Sequence, residues 1–184
     1  MDKNLSEMSL EELWELFPIY LTEHQDCWAN WYEEEKSIIQ NILSAEFDLR
    51  INHIGSTAIR GIWAKPIIDI LIEVQDDSAL KSAKEQLAAN GYICMSDRGD
   101  RISLNKGYTK NGFAERVFHV HLRLINDNDE IYFRDYLNTF PKIAKEYENL
   151  KLTLWKKYEH DRDGYTMEKT NFVTKYTRLA KVLL

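Results

Sequence analysis

Cysteine is scarce in this sequence, which contains only Cys27 and Cys94, and their spacing matches no metal-binding motif. So few cysteines do not make the disulfide framework of a small secreted domain, and reduced thiols in a cytoplasmic protein are expected. The first residues are polar and acidic and lack the apolar core of a signal peptide. No apolar run approaches the roughly 18 residues of a membrane-spanning helix, so we expect no association with a membrane.

Positive charge is also in short supply, because 24 Lys and Arg residues face 30 Asp and Glu residues, for a formal net charge of −6. A general nucleic-acid-binding protein usually has a basic face, so this balance argues against that class while allowing a local basic pocket. The three prolines act as local punctuation, and no repeat or low-complexity segment interrupts the chain. We therefore expect one compact domain over residues 1–184.

Hydrophobic periodicity predicts strands in the middle of the chain and helices around them. The predicted strands cover residues 49–54, 66–74, 92–95 and 117–124. Loops and a hairpin are expected over 96–112, with a short strand near 102–104. A capping box at residues 9–12 opens a short first helix, and the other helices are predicted at 25–43, 78–89, 129–140, 141–158 and 166–183. This order of elements indicates an α+β protein.

The segment 53–73 carries most of the chemical information. Gly55 and Ser56 follow one apolar strand, and a short loop leads to Lys65 and to a second apolar strand with Asp69 at its centre. A Gly-Ser turn can offer backbone N–H groups and a hydroxyl group to a phosphate, and the carboxylate of the next strand can hold a metal ion. This arrangement is typical of nucleotidyltransferase sites.

The second carboxylate of such a site is missing. A two-metal site holds its ions about 3.5–4 Å apart with several carboxylates. Since strand positions i and i+2 face the same way, the usual pattern is Asp-x-Asp or Asp-x-Glu, but Leu71 stands two residues after Asp69. Glu73 is the next acid on that face, and at ~3.3 Å per residue it lies about 13 Å along the strand, too far to share a metal pair.

A third group of candidates lies on the strand predicted at residues 117–124. Apolar residues alternate there with His119, His121 and Arg123, which share the opposite face. Neutral imidazole is a good ligand for transition metals, so the two histidines can supply part of a metal site together with Asp69. They can also act as acid–base groups or phosphate donors, or simply form a hydrogen-bonded polar strand face.

Structural interpretations compete with these functional ones. Ser56 and Thr57 can cap a helix after a tight glycine turn. Asp69 can form a buried salt bridge to a base such as Lys65 or Arg123, because an unpaired carboxylate among aliphatic residues is costly.

Further candidates are His53, Lys151 and Lys169. His53 can orient the turn that follows it. Lys151 and Lys169, on the C-terminal helices, can close over a phosphate, although lysines on a solvated helix face are more common.

Several of these blocks together resemble the GrpB family, which belongs to the nucleotidyltransferase-fold superfamily. The matching blocks are residues 53–62, 65–71, 119–122 and 133–137, then Tyr147 with Leu150 and Lys151, then Tyr165 with Lys169 and Phe172. The resemblance implies a nucleotidyltransferase-like mixed β-sheet flanked by helices, with helical N- and C-terminal segments. It implies little about activity, because Leu71 departs from the superfamily pattern.

The leading hypothesis is a cytoplasmic nucleotidyltransferase-like protein that binds a nucleotide or another phosphorylated small molecule. The phosphate contacts would come from Gly55, Ser56, Thr57, Lys65 and Arg123. Asp69 would be the catalytic metal ligand, with help from His119 or His121. If the protein is catalytic, a magnesium or manganese ion would assist attack on the α-phosphate of a nucleoside triphosphate.

Two other functions stay open at this point. The first is a non-catalytic ligand-binding or partner module that keeps the fold without the second carboxylate, as Leu71 suggests. The second is a single transition-metal site built on His119, His121 and Asp69. Metal preference separates the three hypotheses, whereas the substrate and any protein partner cannot be read from these residues.

Overall fold

The computed structural model describes residues 4–43 and 48–183. Within these ranges the strands are β1 (Arg50–Ile54), β2 (Ile67–Val74), β3 (Ile93–Asp97), β4 (Arg101–Thr109) and β5 (Gly112–Leu124). The helices are α1 (Leu10–Leu16), α2 (Cys27–Leu43), α3 (Asp77–Ala89), α4 (Asp129–Thr139), α5 (Pro141–Tyr158) and α6 (Arg162–Leu183). Short 3₁₀ turns lie at Leu5–Glu7 and Ser56–Ala58. No helix of these ranges is long and apolar enough to cross a bilayer.

The strands form one sheet in the order β1-β2-β5-β4-β3. The central pair β2 and β5 is parallel, and every other pair is antiparallel. The sheet is therefore mixed and is flanked by helices, which confirms the α+β architecture expected from the sequence. In the parallel register Asp69 stands opposite His119, so the two strands bring these side chains to the same part of the sheet.

Strand β2 is an interior strand of the sheet, and apart from Asp69 and Glu73 its residues are aliphatic on both faces. All of its side chains except that of Asp69 are buried. The even-numbered residues from Ile68 to Val74 pack with α2 and α3 in the main hydrophobic core, whose members include Trp28 and Leu80. The opposite face, which carries Asp69, is covered by the C-terminal helices.

These C-terminal helices pack through a second, aromatic cluster. Phe133 of α4 meets Tyr147 of α5 with ring centroids 5.2 Å apart, and Phe172 of α6 lies 5.2 Å from Tyr147. Ile59, which follows the Ser56–Ala58 turn, belongs to the same cluster. The helices are therefore fixed against the chain that links β1 to β2, on the side of the sheet where Asp69 lies.

Two predictions of local structure were wrong. The hairpin expected within 96–112 is present where β4 turns into β5, but the short strand expected near 102–104 extends over the nine residues of β4. Strand β4 pairs with β5 through a bulge at Gly107, where an added Cβ would lie 2.3 Å from the Arg116 carbonyl oxygen. Helix α6 begins at Arg162 and contains Gly164, which was expected to precede the helix. An added Cβ at Gly164 would lie 2.7 Å from the Tyr158 ring, so this glycine permits close packing and does not interrupt the helix.

Candidate functional site

A cavity of about 750 Å³ lies between the Asp69 face of the sheet and helices α4, α5 and α6. The sheet side contributes Asp69, His119 and His121, and the chain between β1 and β2 contributes Gly55, Ser56 and Lys65. The helix side contributes charged and aromatic residues, among them Tyr147, Lys151, Arg162, Tyr165 and Lys169. It also contributes Asp129, Glu130, Phe133, Arg178 and Lys181. Most of the residues singled out in the sequence therefore meet in one cavity.

The Gly55 turn is shaped by the carboxylate of Asp69. Gly55 has φ of 72°, a backbone conformation that side chains disfavour. An added Cβ there would lie 2.3 Å from Asp69 Oδ2, which is far inside van der Waals contact. Glycine is thus required both for the turn and for the close approach of the backbone to Asp69.

Thr57 and His53 support this turn from behind. The Thr57 hydroxyl is buried and donates a hydrogen bond to the Ile67 carbonyl oxygen at 3.3 Å, and His53 Nε2 lies 3.0 Å from the same hydroxyl oxygen. The His53 ring stacks on Tyr32 with centroids 4.8 Å apart. Burial lowers the pKa of His53 to about 4, so its imidazole is neutral near pH 7. Thr57 does not line the cavity, and its place in the structure is that of a support for the turn.

Asp69 forms hydrogen bonds with both histidines of β5. Its Oδ1 lies 3.3 Å from His119 Nδ1 and 3.3 Å from His121 Nε2. Burial alone would raise the pKa of Asp69, but the hydrogen bonds from the two histidines outweigh it and hold that pKa well below its usual range. Asp69 is therefore an ionised carboxylate beside the basic part of the cavity.

Polar contacts connect Asp69 through His119 to Tyr108 and Arg162, neither of which the sequence had indicated as a site residue. His119 Nε2 lies 2.8 Å from the Tyr108 hydroxyl oxygen, and Arg162 Nη2 donates to that oxygen at 3.0 Å. Arg162 lines the cavity. Tyr108 lies outside the short strand predicted near 102–104, in the segment expected to contain loops and a hairpin, so no periodic signal pointed to this contact.

Three lysines approach the cavity around two tyrosine rings. Lys65 Nζ lies 5.3 Å and Lys169 Nζ 4.2 Å from the centroid of the Tyr165 ring. Lys151 is 1% exposed, donates a hydrogen bond to the Trp63 carbonyl oxygen, and lies 4.9 Å from the centroid of the Tyr147 ring. We call Lys65, Lys151 and Lys169 the lysine cluster.

The surroundings of the lysine cluster disfavour the charged form of all three lysines. Burial and the charges of Lys169 and Arg162 lower the pKa of Lys65 from 10.5 to about 7. Burial and the charge of Lys169 lower the pKa of Lys151 to about 7. Burial lowers the pKa of Lys169 to about 8 against the opposing effect of the Asp69 charge, and the charge of Arg162 adds to the lowering. Among the described residues, no carboxylate forms an ion pair with these ammonium groups. An anion in the cavity would compensate their charge.

Arg123 occupies a different place from the one predicted for a phosphate ligand. It is 6% exposed, and its Nη1 donates to the carbonyl oxygens of Ile102 at 3.2 Å and Leu122 at 2.9 Å. Its guanidinium group also lies 3.9 Å from carboxylate oxygens of Asp127 and Glu130. Arg123 does not line the cavity, so its observed contacts are structural.

The two residues that follow Asp69 on its strand face provide no further metal ligand. Leu71 is fully buried. Glu73 is also buried, and its Oε1 accepts hydrogen bonds from the Asn126 backbone at 3.0 Å and from Asn128 Nδ2 at 3.1 Å, which hold the turn after β5. In the part of the chain that the structure describes, no group of three or more His, Cys, Asp or Glu residues is arranged to hold a metal ion. The donor set therefore does not fit the metal pair of a nucleotidyltransferase.

Comparison with known proteins identifies relatives in both sequence and structure. The chain is 36% identical over 164 residues to the glutamate-rich protein GrpB of Alkalihalophilus pseudofirmus, covering 84% of this chain and 91% of that protein. It is 35% identical to the Bacillus subtilis protein YqkA over 153 residues, which are 82% of this chain and 43% of YqkA. The crystal structure of the conserved protein GrpB from Enterococcus faecalis superposes with a TM-score of 0.75 at 29% identity, covering 88% of this chain and 96% of that one.

A more distant similarity concerns the fold alone. A structure of the Cid1 poly(U) polymerase with Mg 3'-dATP superposes with a TM-score of 0.52 at 13% identity, covering 86% of this chain and 51% of that one. The nucleotidyltransferase-like fold expected from the sequence is thereby confirmed. The model of the family described as GrpB protein matches residues 18–179. The chain therefore belongs to the GrpB family.

Proposed function

We propose that the cavity binds a small molecule with a polyphosphate group, and that nucleotides are the ligand class. Six lysine and arginine side chains line the cavity, of which Arg178 and Lys181 are exposed. The observation that carries the proposal is the convergence of the other four, which are buried or half-buried. These side chains are Lys65, Lys151, Arg162 and Lys169. Among the described residues none of the four forms an ion pair with a carboxylate, so their charges are available to a ligand.

Their number and chemistry favour a polyphosphate over an anion of single charge. Hydrogen bonds between charged donors and phosphate oxygens are about twice as strong as neutral ones, and arginine can contact two oxygens at once. Arg162 is fixed by its hydrogen bond to Tyr108, and Lys151 by its bond to the Trp63 carbonyl oxygen. The Ser56 hydroxyl, at the rim of the same cavity, can donate to another phosphate oxygen.

The size and the walls of the cavity support a nucleotide among phosphorylated molecules. A volume of about 750 Å³ lies within the range of roughly 300–1,000 Å³ that is typical of small-molecule sites. Phe133 and Val173 supply an apolar wall on the helix side. The fold shared with Cid1, whose structure contains Mg 3'-dATP, adds to this choice.

Nucleotidyl transfer is the finer hypothesis, and the donor set limits it. The superfamily reaction uses two ions held by several carboxylates, and Leu71 stands where the second carboxylate would be. Asp69 is the one acidic group that the sheet itself contributes to the cavity wall. We therefore propose ligand binding as the function, with Asp69 holding Gly55, His119 and His121 in the observed arrangement.

Calorimetric titration tests this proposal directly. ATP, GTP, CTP, UTP and sodium tripolyphosphate are each titrated into the wild-type protein and into Lys169→Met. We expect binding of at least one nucleotide to the wild type and a loss of about tenfold or more in affinity in the variant, since an ammonium–phosphate contact contributes about 1.5–3 kcal/mol. The absence of binding by all five compounds would overturn the proposal.

A single transition-metal ion is the second candidate ligand. Two imidazole nitrogens lie 3.3 Å from one oxygen of Asp69, which is close to the separation of neighbouring ligands around one ion. The second ring nitrogen of His119 is held by Tyr108, as ligating histidines usually are. The three side chains would have to reorient around the ion, because their present arrangement does not form a metal site.

Equilibrium dialysis against zinc and nickel separates this candidate from the first. The metal-site hypothesis requires about one ion per chain in the wild type and its loss in His121→Asn, whereas Lys169→Met should keep the ion. Nucleotide binding without retained zinc or nickel favours the first candidate. Retained metal without nucleotide binding favours the second.

A further inference from the structure

The cavity differs from a two-metal nucleotidyltransferase site in the carboxylates that its central strands provide. In a two-metal site the phosphates are neutralised by divalent ions that carboxylates hold in place. Here the carboxylate expected two residues after Asp69 is replaced by Leu71, which is 0% exposed and packed in the core. Glu73, the next acid on that face, is bound to the Asn126 backbone and the Asn128 side chain. Among the described residues, neither position that follows Asp69 on its strand face therefore offers a carboxylate to a second ion. Two acids of α4 also line the cavity, but Asp129 is paired with Lys181, and Glu130 lies 3.9 Å from the Arg123 guanidinium group.

Positive charge is instead built into the protein. Lys65 comes from the end of the loop before β2, Lys151 from α5 and Lys169 from α6, so three separate elements deliver the lysine cluster. Lys65 and Lys169 both lie against the ring of Tyr165, whose side chain is 1% exposed. One aromatic ring therefore contacts two ammonium groups.

Holding several ammonium groups together away from water costs free energy of folding, and a bound anion would offset this cost. A cation–π contact offsets about 0.5–2 kcal/mol, which is less than the cost of bringing several ammonium groups out of water. In the described ranges the lysine cluster makes no ion pair with a carboxylate that would meet this cost. Arg162 adds a fourth positive charge and is held by Tyr108 at 3.0 Å.

We propose that the lysine cluster and Arg162 replace the second divalent ion as the source of positive charge, so that polyphosphates bind to this cavity without a metal ion. This inference rests on the proposed function and specifies its chemistry. The ligand would be the metal-free form of a nucleoside triphosphate or another compound with a chain of phosphates. The triphosphate part carries the recognition, and the base adds to it.

The test compares the same titrations with and without divalent ions. Sodium tripolyphosphate and ATP are titrated into the wild-type protein in excess EDTA and again in excess magnesium. We expect the affinity in EDTA to be higher than in magnesium or at most about threefold lower, since magnesium competes with the lysines for the phosphates. A loss of about tenfold or more in EDTA would overturn the inference while leaving the proposed function in place. No binding in either buffer would overturn both.

A matched pair of variants on α6 shows whether the lysine cluster carries the metal-free binding. Lys169 lies 4.2 Å from the ring centroid of Tyr165, and Lys175 lies 4.8 Å from that of Tyr176, but only Lys169 lines the cavity. Lys169→Met should weaken tripolyphosphate binding in EDTA about tenfold or more, and Lys175→Met should leave it within about twofold. Equal losses in the two variants would mean that general surface charge binds the anion, which would overturn the assignment to the cluster.

Discussion

The two faces of strands β2 and β5 differ in polarity and in what covers them, although successive residues of the same strands form both. One face presents Ile68, Ile70 and Val120 to α2 and α3 in a dry aliphatic core. The other presents Asp69 and His119 to a cavity closed by the C-terminal helices. The first face can contribute free energy of folding through burial, whereas the second holds charged groups whose burial costs free energy.

This difference shows how the fold supports a strained site. The side chains of β2 other than Asp69 are buried, so packing holds the strand in place around this carboxylate. Asp69 is therefore held beside the Gly55 backbone and both histidines. Stability comes from one face, and ligand chemistry is expected from the other. The following predictions test that separation, from the largest expected effect to the smallest.

The largest effect is expected on the apolar face. Ile70 is 0% exposed, and Ile70→Ala should lower the free energy of unfolding by about 2–5 kcal/mol, because it leaves a cavity in the core. Chemical denaturation measures this change. Ile38 of α2 is 44% exposed, and Ile38→Ala should cost less than about 1 kcal/mol. A similar loss in both variants would contradict the division into a stabilising face and a functional face.

The Gly55 turn should be the most sensitive point of the cavity side. Gly55→Ala places a Cβ 2.3 Å from Asp69 Oδ2, in addition to the strain of a φ of 72°, and we expect a loss of about 2–4 kcal/mol together with the loss of phosphate binding. Gly61 has a similar φ of 69° and no neighbour within 4 Å of an added Cβ. Gly61→Ala should therefore cost only about 1 kcal/mol. If denaturation shows equal losses, the contact with Asp69 is unimportant.

Removing the charge of Lys65, which is half-buried, should stabilise the protein, in contrast to the preceding substitutions. Burial lowers the pKa of Lys65 to about 7 from 10.5, so between these pH values the unfolded chain binds more protons than the folded protein. The cost of Lys65 is thus fully present below pH 7 and declines as the pH rises toward 10.5. Lys65→Met should raise the free energy of unfolding by about 1–3 kcal/mol below pH 7, since one pKa unit corresponds to about 1.4 kcal/mol and relaxation reduces the effect.

The pH dependence is the decisive part of that measurement. The advantage of Lys65→Met over the wild type should shrink steadily as denaturation curves are recorded from pH 7 toward pH 10.5. Lys175 is exposed on α6, and Lys175→Met should show no such trend. A Lys65→Met protein that is less stable than the wild type at every pH would show that the lysine side chain serves packing and is not an electrostatic burden.

The sequence predicts the apolar face better than the cavity face, and the reason is physical. Strand β2 follows from a continuous aliphatic run, and α5 was predicted with its observed ends. The Gly55 turn could also be anticipated, because glycine and serine are local signals of a turn. Each of these features depends on residues that are close in the chain.

The remaining half of the cavity depends on how distant helices dock. Lys151 and Lys169 could be named as candidates, but their spacing does not distinguish them from solvated lysines such as Lys156 and Lys157. Only the packing of α5 and α6 against the sheet turns them inward. Arg162 was missed because its partner lies 54 residues away, on a polar strand whose regular pairing is interrupted by a bulge.

The smallest effect is expected where the two halves of the cavity meet, at Tyr108. Tyr108→Phe removes the hydroxyl group that accepts from Arg162 and contacts His119. We expect tripolyphosphate binding to weaken about 3–10-fold, in line with the loss of one or two hydrogen bonds of about 0.5–1.5 kcal/mol. The ring packs against Phe17 in both proteins, so the free energy of unfolding should change little.

A matched variant separates this positioning role from the loss of any tyrosine hydroxyl. Tyr158 donates a hydrogen bond to Glu168 at 3.1 Å and does not line the cavity. Tyr158→Phe should leave calorimetric binding unchanged. If Tyr108→Phe binds tripolyphosphate as tightly as the wild type, Arg162 either does not contact the phosphates or needs no support from β4. Binding of the phosphates would then be assigned to the lysine cluster without Arg162.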